Sequence, residues 1–266
     1  MTSTAGRPSP AMLSDIVPWL DDLLQTETTP DYDGAKNGLQ VEHAGPVRHI
    51  AAAVDASLRT VELAVDTGAN LLIVHHGLFW SGAQPIRGPL HRKLSLLLDN
   101  DIAVYSSHLP LDRHPTIGNN VLLARALGLT PSSTWLAYKG TPIGVVADAA
   151  LQTSELATRA TDFARQHAHH AVVTPHAPER MSRRIALCSG GGASTESMQE
   201  ARALGADTLI VGEGPHHTAI DAEESGLVVM YAGHYATETL GVQALAQVTS
   251  ERWQVPWSFL PAPTGL

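Results

Sequence analysis

The stretch Leu71-Leu-Ile-Val-His-His-Gly-Leu-Phe-Trp80 decides how this sequence folds. Leu71–Val74 are four consecutive apolar residues, the pattern of a strand buried on both faces in a parallel sheet. Two histidines follow at once, and Gly77 then frees the backbone to turn. In open α/β sheets, ligands bind beyond the carboxyl ends of the strands, so His75 and His76 stand where chemistry is expected. Successive strand side chains point to opposite faces. The pair therefore cannot serve one small site from a regular strand. If the strand ends at Val74, the rings can fan out, each toward its own metal ion. The alternative is a pair of ordinary loop histidines.

Working outward, the neighbouring segments alternate in type. Ile50–Val54 reads as a strand ending in Asp55, and Ser57 caps a helix that stops at Gly68. Downstream, Leu90, Leu94, Leu97 and Leu98 form the apolar stripe of a helix over 90–98. Ile102–Tyr105 is a third strand, and a helix from about Ile117 reaches Leu127 before Gly128. Strand and helix in alternation imply a parallel sheet with right-handed crossovers. Ahead of this unit, Ser14 caps a helix running to about Leu24, and Asn37-Gly38 marks a turn.

The unit is then repeated. Ile185-Ala-Leu-Cys-Ser-Gly-Gly-Gly-Ala-Ser194 echoes Ile50-Ala-Ala-Ala-Val-Asp-Ala-Ser57, and Gly205-Ala-Asp-Thr-Leu-Ile-Val211 echoes Gly68-Ala-Asn-Leu-Leu-Ile-Val74. Leu227–Tyr231 answers Ile102–Tyr105, and its end runs into His234 as the first copy runs into His108. This is an internal duplication of a βαβαβ unit. The expected fold class is α/β, with two similar lobes over residues 1–130 and 131–266 and one shared cleft. Pro131–Thr134 is the candidate boundary. Beyond it lie a hairpin around Lys139-Gly140 and a helix over 153–166. His167, His169, His170 and His176 follow in a polar, proline-punctuated stretch and read as surface residues.

Composition narrows the function. The chain has 266 residues, is 44% hydrophobic, and carries a net charge of -9 with no cluster of Lys and Arg, which argues against a face for duplex nucleic acid. Cys188 is the single cysteine, so no disulfide can form within the chain. The first ten residues read as a tail without the apolar core of a signal peptide, and no apolar run approaches membrane-spanning length. A cytoplasmic setting without membrane association is expected. Histidine is abundant, with 14 copies, which raises the question of metal.

His234-Tyr-Ala-Thr-Glu238 begins the last helix, where positions four apart share one face. His108 and Asp112 have the same spacing. Together His75, His76, Asp112, His234 and Glu238 supply three imidazoles and two carboxylates, a donor set suited to Zn, Fe, Mn, Co or Ni rather than Ca or Mg. Two divalent ions would leave excess positive charge, which favours hydroxide and a small anionic substrate. Glu238, with two oxygens, is the natural bridge in such a two-metal site. Ser189-Gly-Gly-Gly192 reads as a tight turn before a helix, with phosphate binding as the alternative, and Asp55 and Asn37 read as turn formers.

Six ordered motifs strengthen this. Asn37-Gly-Leu-Gln-Val41, Val54-Asp-Ala-Ser57, His75-His-Gly-Leu-Phe-Trp80, His108-x-x-Leu-Asp112, Gly212-Glu-x-x-His-His217 and Gly233-His-Tyr-x-Thr-Glu238 span nearly the whole chain after the tail. In that order they resemble the Nif-three-like dinuclear-metal family, whose members are often labelled GTP cyclohydrolase 1 type 2 homologues. The resemblance implies a two-lobed α/β subunit, a dinuclear centre between the lobes and a homohexamer. It places the metal ligands on His75, His76, Asp112, His234 and Glu238. It also suggests His108 as a further ligand or supporting group, Glu213 as a general base or ligand-orienting group, and His217 as a substrate contact. This chain departs from the family at Leu109-Pro110, where a polar pair is more usual, and at Gly77, where Pro is common. Two function classes follow. One is a metal-dependent hydrolase acting on a small anion, possible candidates being a nucleotide or a phosphate ester; the other is a non-catalytic metal-binding protein, a metallochaperone or an oligomeric scaffold.

Overall fold

Each repeat builds a parallel three-stranded core in the same register. In the first, β2 (Ile50–Asp55), β3 (Leu71–His76) and β4 (Ala103–Ser106) pair so that Ile50 faces Leu71 and Leu71 faces Ala103. In the second, β8 (Met181–Cys188), β9 (Thr208–Val211) and β10 (Val228–Tyr231) pair with Ile185 opposite Thr208 and Thr208 opposite Val228. This architecture is that of a computed structural model, which describes residues 10–266; the tail read over Met1–Pro10 lies outside those residues except for Pro10.

Leu71, Leu72, Ile73 and Val74 are all fully buried, as both faces of a parallel strand require. Burying each such side chain contributes about 1.5–3 kcal/mol, enough to fix the register of β3. The strand does not end at Val74. It continues through both histidines, with His76 paired to Asp55.

The helices after β2 and β8 start in the same way. Ser57 caps α2 (Leu58–Thr67) in a reciprocal box with Thr60, and Ser194 caps α7 (Thr195–Ala203) in the same box with Ser197. Gly68 ends α2 in the left-handed conformation that favours glycine. In α3 (Pro89–Asp99) only Leu97 of the expected stripe is buried; Leu98 is 64% exposed.

Flanking strands differ between the two sheets. The first has the order β1-β4-β3-β2-β11, where β1 (Gly38–Val41) runs antiparallel to β4 and β11 (Trp257–Phe259) parallel to β2. The second has the order β5-β6-β8-β9-β10-β7, with the long hairpin of β5 (Pro131–Tyr138) and β6 (Thr141–Gln152) at one edge and β7 (Val172–Val173) at the other.

The helices between the sheets exchange sides. Leu123 and Ala124 of α5 (Asn119–Ala126), from the first half of the chain, pack into the core of the second sheet. The last helix, α9 (His234–Trp253), serves both. Ala236 lies in the second core, whereas Val242, Leu245 and Ala246 pack with Ile16, Leu20 and Leu24 of α1 (Leu13–Leu24) in the first. Residues 131–266 thus contribute one helix and one strand to the first sheet. The first turns of α9 stand where the carboxyl ends of both parallel cores meet. Among the described residues, no helix is long and apolar enough to cross a membrane.

Candidate metal centre

Four imidazoles converge at the strand ends, and each has its Nδ1 engaged by an oxygen acceptor. His75, fully buried, directs Nδ1 at the Ser107 carbonyl at 2.8 Å. His76 directs Nδ1 at Asp55 Oδ1 at 2.9 Å. His108, the residue before the single turn α4 (Leu109–Asp112), directs Nδ1 at Asp31 Oδ1 at 2.8 Å and is further fixed by its N–H donating to Asn37 Oδ1. His234, first in α9, directs Nδ1 at Glu213 Oε1 at 2.9 Å. An acceptor at Nδ1 places the proton there and leaves Nε2 as a bare donor, the usual arrangement of imidazoles that ligate metals.

Glu238 sits among these rings, one turn along α9 and 3% exposed. Its Oε1 lies 3.5 Å from His75 Nε2, and its Oε2 lies 3.5 Å from His76 Nε2 and 3.2 Å from His234 Nε2. Asp112 Oδ2 is 3.5 Å from His75 Nε2. His75 Nε2 and Glu238 Oε2 are buried and form no hydrogen bond. Leaving such groups unpaired costs about 1–3 kcal/mol each, which a shared cation would remove. The spacing agrees. Two donor atoms each about 2.1 Å from one ion, at tetrahedral to right angles, stand roughly 3.0–3.4 Å apart. The donors fall into two overlapping groups that could hold a metal ion, His75–His76–His108 and His76–His234–Glu238.

Charge balance points the same way. Burial opposes the charged form of His75, but Asp112 and Glu238 outweigh it and raise its pKa to about 10. Burial likewise opposes charge on His234, and Glu238 and Glu213 raise it to about 9. Burial would raise Glu238, yet His76, His75 and His234 hold it well below the usual carboxylate range. The cluster therefore attracts positive charge, and divalent cations are an alternative to protons.

Asparagines and glycines position this centre. Asn119 donates to Asp112 Oδ1 at 2.9 Å and accepts from the Gly241 N–H inside α9 at 2.7 Å. Asn120 donates to the Asp112 and Ile143 carbonyls and accepts from the Ser189 N–H at 2.6 Å. Both are essentially fully buried, so two adjacent amides tie α4, α9 and the β8 turn together. Ser189 Oγ also reaches Asp112 Oδ1, at 3.1 Å. Gly190 has φ +63, and a Cβ there would collide with the Glu238 carboxylate; one at Gly212 would lie 2.6 Å from His234 Cα. The glycine run is a tight turn that lets α9 approach.

The sequence-derived residues thus separate. His75, His76, Asp112, His234 and Glu238 are brought together, and His108 joins them at a ring-centroid distance of 4.9 Å from His75. Glu213 stands behind His234. His217 lies exposed in the first turn of α8 (His216–Ser225) and does not line the cleft of about 790 Å³ that opens over the cluster. Sequence reading gave Asp55 and Asn37 only turn roles, and passed over Asp31, Asn119 and Asn120. Asp31 lies in an irregular loop without periodicity. The Asn119-Asn120 pair, at the start of a largely apolar helix, was the one available signal.

A sequence profile of the Duf34/NIF3 (NGG1p interacting factor 3) family matches residues 11–264. A Deinococcus radiodurans protein named GTP cyclohydrolase 1 type 2 homolog is 40% identical over 255 residues, covering 95% of this chain and 94% of that protein. Among solved structures, one described as protein ybgI of unknown function superposes with a TM-score of 0.85 at 34% identity, covering 96% of this chain and 100% of that one. The Thermus thermophilus protein TTHA1606 gives 0.83 at 37% identity, covering 95% and 99%.

Proposed function

Because this chain belongs to the Duf34/NIF3 family, we propose that it holds two divalent transition-metal ions (Zn, Fe, Mn, Co or Ni) between its two sheets and hydrolyses a small anionic substrate. The observation that carries this reading is the set of four imidazoles, each with Nδ1 engaged by an oxygen, three of which direct Nε2 at one buried carboxylate with an unpaired oxygen. His75, His108 and Asp112 would hold one ion and His76 and His234 the other. Glu238 would bridge them, since its Oε1 faces His75 and its Oε2 faces His76 and His234. Two such ions supply Lewis acidity and a water acidic enough to attack near neutral pH.

The chain's own residues fix the donors. Ser107, Asp55, Asp31 and Glu213 set the ring orientations, and Asn119 with Ser189 holds Asp112 Oδ1 so that Oδ2 faces the cluster. The role of Glu213 is to orient His234 rather than to act as an independent base, and His217 contributes as a substrate contact only if substrate extends beyond the cleft. The relatives' name favours a nucleotide such as GTP as substrate class, with phosphate esters equally suited to the site. A homohexamer in the cytoplasm belongs to the same reading by family analogy.

A second reading, a metal carrier or scaffold, is favoured by one feature. The cleft-lining carboxylates Asp55 and Glu213 are engaged on imidazoles, and Asp112 and Glu238 face the donor cluster. Metal analysis of the purified protein, with turnover on nucleotides and phosphodiesters beside Glu238→Gln, separates the two. A hydrolase loses turnover and bound metal in that variant; a carrier exchanges its metal readily and shows no turnover at all. Unchanged turnover in Glu238→Gln would remove this centre from the mechanism.

A further inference from the structure

Beside the histidines, three aromatic side chains from separate segments meet at the rim of the cleft. Tyr32 comes from the loop after α1, Trp80 from the loop after β3, and Tyr138 from the end of β5. Their rings lie close: centroids are 4.5 Å apart for Tyr32 and Tyr138 and 6.4 Å for Tyr32 and Trp80. Trp80 also stands edge-on to His76 at 5.4 Å and to His108 at 4.8 Å. The aromatic rim is therefore continuous with the donor cluster. Tyr32 is 49% and Trp80 37% exposed. One exposed aromatic is unremarkable, but several lining one cavity mark a surface that a ligand covers. Lys139 places its ammonium 5.2 Å over the Tyr138 ring and donates to the Asp31 carbonyl at 3.4 Å, tying Tyr138 to the loop that carries Tyr32.

We propose that Trp80, Tyr32 and Tyr138 form a stacking subsite for a planar nitrogen heterocycle of nucleobase size carried on a small anion. This rests on the reading of the neighbouring cluster as the binding centre, and it names the class of molecule that centre receives. Flat π-faces with polar edges, here two phenols and an indole, suit a heteroaromatic ring better than an aliphatic chain or a bare sugar. The cleft of about 790 Å³ also exceeds what two ions and a water would occupy and matches a mononucleotide-sized guest. Stacking reads a ring face rather than its hydrogen-bonding edge, so purines are held with little discrimination between them.

The test uses metal-loaded full-length protein and titration calorimetry with GMP, AMP and ribose 5-phosphate. Both nucleotides are expected to bind at least about 10-fold more tightly than ribose 5-phosphate, and Trp80→Ala to lose about 10-fold or more of that affinity while Trp80→Phe keeps most of it. Tyr138→Leu gives an independent second variant, and thermal melts confirm that each variant is folded. Equal binding of ribose 5-phosphate, no binding of either nucleotide, or unchanged affinity in folded Trp80→Ala would overturn the subsite. A Trp80→Ala protein that changes only its sedimentation, with affinity intact, would assign the aromatics to contact with a second copy and overturn it equally. Metal uptake is measured first, and a protein that takes up no metal yet stacks nucleotides in the same titration fails the metal reading alone.

Discussion

The carboxyl ends of the first parallel core are crowded with side chains, whereas those of the second are nearly bare. Counted along the paired strands, His75 corresponds to Gly212, His76 to Glu213 and Asp55 to Gly190, since Val74 and Val211 hold equivalent positions beside Ala53 and Cys188. The first repeat presents imidazoles from its own strands. The second has glycine at two of these three places, Gly190 and Gly212, which leaves room for α9 to bring His234 and Glu238 in from a helix, and at the third Glu213 holds His234. The repeats are not strict copies either: His108 and Gly233 both precede a helix, so His234 falls one residue later than its counterpart. One copied scaffold thus yields a donor half and a receiving half, and together they enclose a site that neither could build alone.

The sharpest way to break this asymmetry is to give the bare half a side chain. Gly190→Ala forces a methyl group into the Glu238 carboxylate from a left-handed backbone. We expect it to cost about 2–5 kcal/mol in urea unfolding, from strain and overpacking together, and to abolish metal loading. Retained stability and loading would show that the glycine does not make room for α9.

Next in size are the amides that bind the halves together. Asn119→Ala takes the amide donor from Asp112 Oδ1, which keeps only Ser189 Oγ, and the side-chain acceptor from the Gly241 N–H, so metal affinity should fall about 10–100-fold, read by competition with a chelator. Stability should fall with it by roughly 1–3 kcal/mol.

A gradient among the ring-orienting carboxylates sharpens the comparison further. Asp31 holds His108 in the donor half with its side chain 6% exposed, whereas Glu213 holds His234 with 43% exposed. Asp31→Asn is expected to weaken metal binding by at least about 10-fold and Glu213→Gln by less, because water substitutes for an exposed partner more readily than for a buried one. The reverse order would place the weaker-held ion in the first repeat.

The smallest effect tests the likeness itself. Ser57→Ala and Ser194→Ala remove the same capping box from α2 and α7. Each should cost about 1 kcal/mol, with the two losses within a few tenths of each other and metal content unchanged. Unequal losses would mean that the repeats differ in packing beneath their identical caps.

Much of this was legible along the chain because it is local. Leu71–Val74 announces a doubly buried strand, Ser57 and Ser194 announce caps, and the echo of Ile50–Ser57 in Ile185–Ser194 announces the repeat, all within ten residues. His234 and Glu238 are readable as a pair because helix periodicity relates them. The expected end of β3 before its histidines was not correct. The rings reach the same carboxylate from a continuing strand, since Glu238 is delivered to the strand terminus from a different helix. Asp31, Asn119 and Asn120 carried little signal because each has a partner far along the chain: His108 is 77 residues from Asp31, Ser189 is 69 from Asn120 and Gly241 is 122 from Asn119.

By itself, the sequence determined two α/β repeats and a set of histidines and acids at strand ends, because periodicity, caps and copied motifs are properties of neighbouring residues. Only the tertiary structure decided that α9 and β11 return to the first sheet, that glycines admit Glu238, and which acceptor turns each imidazole. Those outcomes depend on which buried polar atoms come within hydrogen-bond reach across the fold, a matter of packing between distant segments that no local pattern encodes.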